Sequence, residues 1–308
     1  MGFIVMYNFN SALKKFVIMF RPDTLQLAYQ NMENLEVVPN ILNFNDGSVR
    51  VDIPLDVSFP HRYCVISAVI ESLDDLMIVA QIKEIIDRIE PNKSISLVLH
   101  GTAYTRYDRV MFEDKSDAFG AKVFADFINS IGFDFVYFND PHSKVITDLV
   151  TRSVIVDQKY LLRATVPNLK EFGIICPDAG ARSKLGDDAS LYFSKQRSVK
   201  TGKIDGVVLA EINLERNVNK LLIVDDICEG GGTFIGIANA IKESYHYDRI
   251  FKDKELNLYV THGIFSRNAI PRLLEHFANI YVYSMKESVY NALTESEKSR
   301  VIYNTLFV

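Results

Sequence analysis

Two α/β domains, each built on a mostly parallel sheet flanked by helices, are the fold this sequence predicts. Three observations predict it. The chain has 308 residues, which is room for two cores of about 150 residues each on ordinary domain-size grounds. Its apolar content of 48% can fill both. Short runs rich in Val, Ile and aromatics alternate with longer stretches of helical period, as in parallel strands joined by covering helices.

The predicted strands, in order, are 16–20, 63–69, 94–100, 133–139, 172–177, 189–195, 220–226, 256–263 and 280–284. Three helices follow strands. Residues 74–91 keep apolar positions at spacings of three and four and stop at Pro91; residues 118–132 stop at Gly132; residues 232–245 follow the strand at 220–226. The best domain boundary lies near 145–165, giving domains at 1–150 and 151–308. The two halves read as one architectural unit used twice, by element order alone and without a literal repeat. The end of the chain, 293–308, is expected to pack as a last helix or strand on either half.

Thirty-four Lys and Arg against 39 Asp and Glu leave a net charge of −5. No long basic run tracks a nucleic-acid backbone, so DNA and RNA are not expected partners. Cys64, Cys176 and Cys228 are too few and too scattered for a disulfide framework or a zinc site, which favours a reducing compartment, the cytoplasm. Residues 1–22 break their apolar pieces with Asn, Ser and Lys, and no signal peptide or membrane anchor is read there.

The segment with most chemical content is LLIVDDICEGGGTFIGIANAI, 221–241. An apolar strand delivers Asp225 and Asp226; then come Glu229, Gly230, Gly231, Gly232 and Thr233, and a helix. Glycine N–H groups can approach phosphate oxygens closely, the helix start and the Thr233 hydroxyl add donors, and the two acids suit sugar hydroxyls. A plain βα turn with glycine for tightness is the alternative, and it leaves the paired acids unexplained.

This segment resembles the phosphoribosyl-binding signature shared by type I phosphoribosyltransferases and ribose-phosphate diphosphokinases. Further segments resemble the diphosphokinases in family order across about 40–285: FNDGS (44–48), TAYTRYDR (102–109), NDPHSK (139–144), CPDAGA (176–181), SKQR (194–197) and VTHGIFSRNA (260–269). The resemblance implies two phosphoribosyltransferase-like domains, and transfer of a diphosphoryl group from Mg²⁺-bound ATP to the anomeric hydroxyl of ribose 5-phosphate. It implies catalytic roles for Lys195, Arg197 and Arg106. Phe44, Asp46, Ser48, Arg106, Tyr107, Asp108 and His142 would bind ATP, with Phe44 stacking on adenine. His142 and Asp178 would share the Mg²⁺. The adenine loop of the family reaches a neighbouring subunit, so a homo-oligomer, dimer or hexamer, is implied.

The chain departs from that pattern in four places. Where the family's phosphate loop usually reads Asp-Thr-x-Gly-Thr this chain has Glu229, Gly230, Gly231, Gly232 and Thr233; losing the threonine hydroxyl at Gly230 opens space beside the 5-phosphate and suggests a substituted acceptor such as ADP-ribose. Tyr107 stands where glutamine is expected and Ser48 where glutamate is expected. Residues 110–120 are acidic where bacterial and animal members are rich in Arg, which implies little regulation by phosphate or ADP. Two other readings compete: a type I phosphoribosyltransferase, which leaves 40–145 unexplained, and a non-catalytic regulatory homologue, which gives no reason to retain Lys195, Arg197, His142, Asp178, Asp225 and Asp226 together.

Overall fold

The computed structural model describes residues 16–21, 35–54, 62–101, 104–197, 204–212, 218–244 and 246–303. The tail beyond 303 and part of the 102–109 motif, Thr102 and Ala103, lie outside them. The chain divides into two compact units, Val156 closing the first and Asp157 opening the second.

Unit 1 contains β1 (Phe16–Arg21), β2 (Leu35–Val37), the hairpin β3 (Asn40–Asn43) and β4 (Val49–Asp52), β5 (Tyr63–Val69), β6 (Ser94–His100), β7 (Phe135–Asn139) and β8 (Ser153–Val156). Its helices are α1 (Leu73–Ile89), α2 (Gly120–Ile131) and α3 (Lys144–Leu149). The main sheet runs β2-β1-β5-β6-β7-β8, parallel from β5 onward, with β1 antiparallel to β5 and to β2. Strand alternation decides which face each residue serves. Ile18, Ile66, Leu97, Leu99, Val136 and Phe138 meet the helices in one core with Ile82, Phe124 and Ile146, while Val17, Val65 and Val98 form a small cluster on the opposite face with Tyr137.

α1 begins where its sequence says it should. Ser72 and Asp75 form a reciprocal capping box, and acidic Asp74 and Asp75 occupy the first turn. It ends at Ile89, before Pro91. α2 closes on Gly132 at φ 80°, the left-handed conformation that glycine adopts without strain. The β3–β4 hairpin forms its own small sheet and is tied to α1 by one side chain: Gln81 accepts from the Val51 N–H at 3.1 Å and donates to the Val49 carbonyl at 2.9 Å.

Unit 2 contains β9 (Phe172–Cys176), β10 (Leu191–Arg197), β11 (Ile204–Ile212), β12 (Lys220–Cys228), β13 (Glu255–Gly263), β14 (Ile280–Met285) and β15 (Val301–Tyr303). Helices α4 (Gln158–Thr165), α5 (Ala179–Leu185), α6 (Gly232–Glu243) and α7 (Ala269–Leu274) cover it. The order is β11-β10-β9-β12-β13-β14-β15, all parallel except β11. One face packs on α6 and α7 through Ile223, Val260, Phe234 and Leu273; the other packs on α4 and α5 through Leu222, Val224, Leu162 and Leu185. Burial on both faces explains why β12 reads as an unbroken apolar run, Leu221 to Val224.

The two halves are less alike than element order suggests. In unit 2 the parallel strands run outward both ways from β9, whereas in unit 1 they march one way from β5 and the other side is an antiparallel edge. Among the described residues no helix is long and apolar enough to cross a membrane. Replacing Gln81 by Leu leaves two backbone groups of the hairpin without their partner, so stability should fall by about 1–3 kcal/mol. Urea unfolding reads the loss, and amide exchange should quicken at 44–52 first.

Candidate functional site

A sheet whose strand order reverses leaves a crevice at the carboxyl ends of the two strands where it does so, because the helices that follow them go to opposite faces. In unit 2 those strands are β9 and β12. β9 runs into Pro177, Asp178 and α5; β12 runs into the glycine turn and α6. Lys195 and Arg197 are on the same edge. They belong to β10 itself, not to a loop after it, since the strand continues to Arg197 as a ribbon with β11, Lys195 opposite Val207, with a register shift between Gln196 and Arg197. Such a bulge re-aims the strand end.

The turn shows which glycine the backbone requires. Gly231 has φ 76° and caps α6; a Cβ there would meet Leu273 at 3.1 Å. Gly230 and Gly232 have no positive φ, and a Cβ on either would meet nothing within 4 Å. Having no side chain, Gly231 cannot cap the first N–H groups of the 12-residue α6, and these are donors suited to an anion.

The two acids do different things. Alternation sends Asp225 toward the α6 and α7 face with Ile223, and Asp226 toward the α5 face with Val224. Asp226 is 9% exposed and pairs with Lys184 of α5 at 3.0 Å, a partner 42 positions away that no local pattern marks. Asp225 accepts from the Asp226 N–H at 3.0 Å. Asp178 caps α5, accepting from the Ala181 N–H at 3.1 Å. Burial pushes the Cys176 thiol up to about 12, with Asp225 and Asp178 adding to the effect and Arg182 opposing it, so both carboxylates lie near the end of β9. Burial, helped by Asp225 and Glu229, does the same to Cys228. Neither thiol is a nucleophile at neutral pH.

After β13 the chain makes a tight loop. A Cβ on Gly263 would overlap the Phe265 ring, and Phe265, Arg267 and Asn268 all have positive φ. The Ile264 and Phe265 N–H groups donate to the Cys228 carbonyl, which fixes this loop to the start of the glycine turn.

In unit 1 two strand-end loops carry the predicted residues of the 102–109 and 139–144 motifs. Arg106 is exposed in the turn 104–106, next to Tyr107, which is 65% exposed. The Asp108 carboxyl is held below its ordinary range, first by a hydrogen bond from Arg109, then by one from Ser143 and by the nearby His142. His142 is exposed. Phe44, Asp46 and Ser48 sit instead on the β3–β4 tip. There the Asp46 carboxylate accepts from the Ser48 N–H at 2.9 Å and its hydroxyl at 2.7 Å, which lowers its pKa, and Phe44 is 51% exposed.

No protein-family model matches the sequence. A ribose-phosphate pyrophosphokinase of Mycoplasmopsis pulmonis is 25% identical over 267 residues, 82% of this chain and 79% of its own. Proteins of the same name from Hyphomonas neptunium and Shewanella oneidensis are 26% and 27% identical, covering 76% and 73% of this chain and 74% and 71% of theirs. The chain is similar to ribose-phosphate pyrophosphokinases over about three quarters of its length. Its fold is also that of the phosphoribosylpyrophosphate synthetase from Mycobacterium smegmatis, with a TM-score of 0.57 and 17% identity over 87% of this chain and 85% of that one.

In the glycine turn a single residue of three, Gly231, is conformationally obligatory. Gly231→Ala should cost on the order of 1–3 kcal/mol through positive φ and the Leu273 contact. Gly230→Ala should leave the melting temperature unchanged. Thermal unfolding of the two variants side by side tests this reading of the turn.

Proposed function

We propose that the chain is a diphosphokinase that moves the β,γ-diphosphoryl group of Mg·ATP to the C1 hydroxyl of ribose 5-phosphate, giving phosphoribosyl diphosphate and AMP. One observation carries the reading: Lys195 and Arg197 at the end of β10, Asp178 after β9, and the acids and glycine turn after β12 share one edge of one sheet. Strands about 4.8 Å apart bring such groups within reach of one small substrate.

In this reading the N–H groups of the turn and the Thr233 hydroxyl receive the 5-phosphate, with Glu229 at the turn's start. Asp225 and Asp226 accept from the ribose hydroxyls, Asp226 giving up part of its bond to Lys184. Arg106 contacts the ATP phosphates, Tyr107, Asp108 and His142 complete the ATP site, and Phe44 stacks on adenine while Asp46 and Ser48 contact its edge. The exposed hairpin tip also suits an adenine site completed by a second copy, hence a homo-oligomer. The C1 oxygen attacks the β-phosphorus, the bond from that phosphorus to the α,β-bridging oxygen breaks, and its electron pair leaves with AMP. Lys195, Arg197 and Arg106 stabilise the charge that spreads over the transferring oxygens.

Among the described residues no group of three or more His, Cys, Asp and Glu forms a ready cation site. The exposed imidazole of His142 in unit 1 and the carboxylate of Asp178 in unit 2 are each ligand types that Mg²⁺ would take singly, since it keeps waters and substrate phosphates as most of its ligands. When bound, the ion supplies charge neutralisation on the diphosphoryl oxygens.

A second acceptor is favoured by Gly230 and Gly232. Neither backbone conformation nor packing requires glycine at these positions, so the missing side chains leave room for a substituent on the 5-phosphate, as in ADP-ribose. AMP release from Mg·ATP should require a ribose phosphate; an unchanged ATP pool with every acceptor would sink the activity. Comparing initial rates separates the two acceptors, and Gly232→Val should raise KM for ADP-ribose while sparing ribose 5-phosphate. Lys195→Ala should lose ~3–4 kcal/mol of transition-state stabilisation, read as kcat.

A further inference from the structure

The face of the unit 1 sheet that turns away from the helices carries three polar side chains in place of apolar ones. Ser67 of β5, His100 of β6 and Asn139 of β7 are 0%, 0% and 2% exposed, beside Val17, Val65 and Val98. Asn139 Nδ2 lies 3.0 Å from His100 Nδ1 and Ser67 Oγ 2.8 Å from His100 Nε2; with the amide nitrogen as donor, the ring proton belongs on Nε2, facing the hydroxyl. Burying such a group is costly unless it is bonded, and a bonded network rigidifies what it joins.

What it joins is the base of two loops. β6 ends at His100, and the chain leaves through Gly101, at φ 89°, toward Arg106 and Asp108. β7 ends at Asn139, and the chain leaves through Asp140, at φ 42°, toward His142. The loops are thus tied at the base by His100 to Asn139.

We infer that His100 is a positioning residue, holding loops 104–109 and 140–143 at a fixed separation through Asn139. Resting on the ATP-side roles proposed above, this makes His100 a determinant of ATP binding that never touches ATP. The two ring nitrogens can be tested apart. An asparagine places its amide near Nδ1 and keeps the contact to Asn139; a glutamine reaches the position of Nε2 and keeps only the contact to Ser67.

The experiment compares His100→Asn, His100→Gln and Asn139→Ala in the full chain, by amide exchange and by the separate KM values for ATP and ribose 5-phosphate. In His100→Gln and Asn139→Ala exchange should rise about tenfold in both loops together, and KM for ATP should rise while that for the acceptor and kcat hold. His100→Asn should stay close to the parent in both. Equal loss in His100→Asn and His100→Gln, or loops that exchange alike in every folded variant, overturns the inference. A parent chain that fails to bind Mg·ATP would refute the function proposed above, while the exchange comparison would still decide the role of His100.

Discussion

Where β9 and β12 part, the chain changes direction across the sheet, and the helices that follow, α5 and α6, cover opposite faces. A crevice at the strand ends between them, with the N–H groups of the α6 start on one side, follows from that topology. The positive φ of Gly231 and its approach to Leu273 set how α6 starts, and α6 aims those N–H groups. The other features of the site depend on this arrangement: Asp178 is on the edge because β9 ends there, and Lys195 because β10 runs parallel beside β9.

A chain of net charge −5 has no general field to attract polyphosphates. Its means are local. Backbone dipoles at the start of α6, the Lys184 cation beside Asp226, and basic residues at strand ends act over a few ångströms, where salt screens them least. Lys184 also keeps Asp226, almost buried, in company with a positive charge at 3.0 Å, which makes a carboxylate tolerable there before any substrate arrives.

Much of this was legible in the residues, and what was not has physical reasons. Strands buried on both faces, such as 220–228, announce themselves by continuous apolar runs. The glycine turn and paired acids were visible, but that Asp225 and Asp226 serve opposite faces follows only once the strand is known to continue past them to Cys228. The β3–β4 hairpin carried a signal, Asn45-Asp46-Gly47 between short alternating runs, which a reading of 44–48 as a binding loop passed over. β10 was placed two residues early because Lys, Gln and Arg at 195–197 look like solvated surface; pairing with β11 holds them in the strand. The contacts of Gln81, of Lys184 and of His100 with Asn139 join residues 30 to 42 positions apart, and no local pattern encodes such distances.

The β9–β12 edge is the proposed ribose phosphate site. Titrating the full chain with ribose 5-phosphate while following backbone amide resonances tests that most directly. Shifts should centre on Glu229 to Thr233 and on Asp225 and Asp226, saturate together, and vanish in a variant whose turn is misshapen at Gly231. Saturable shifts confined to unit 1, or an unmoved glycine turn at full occupancy, would contradict it.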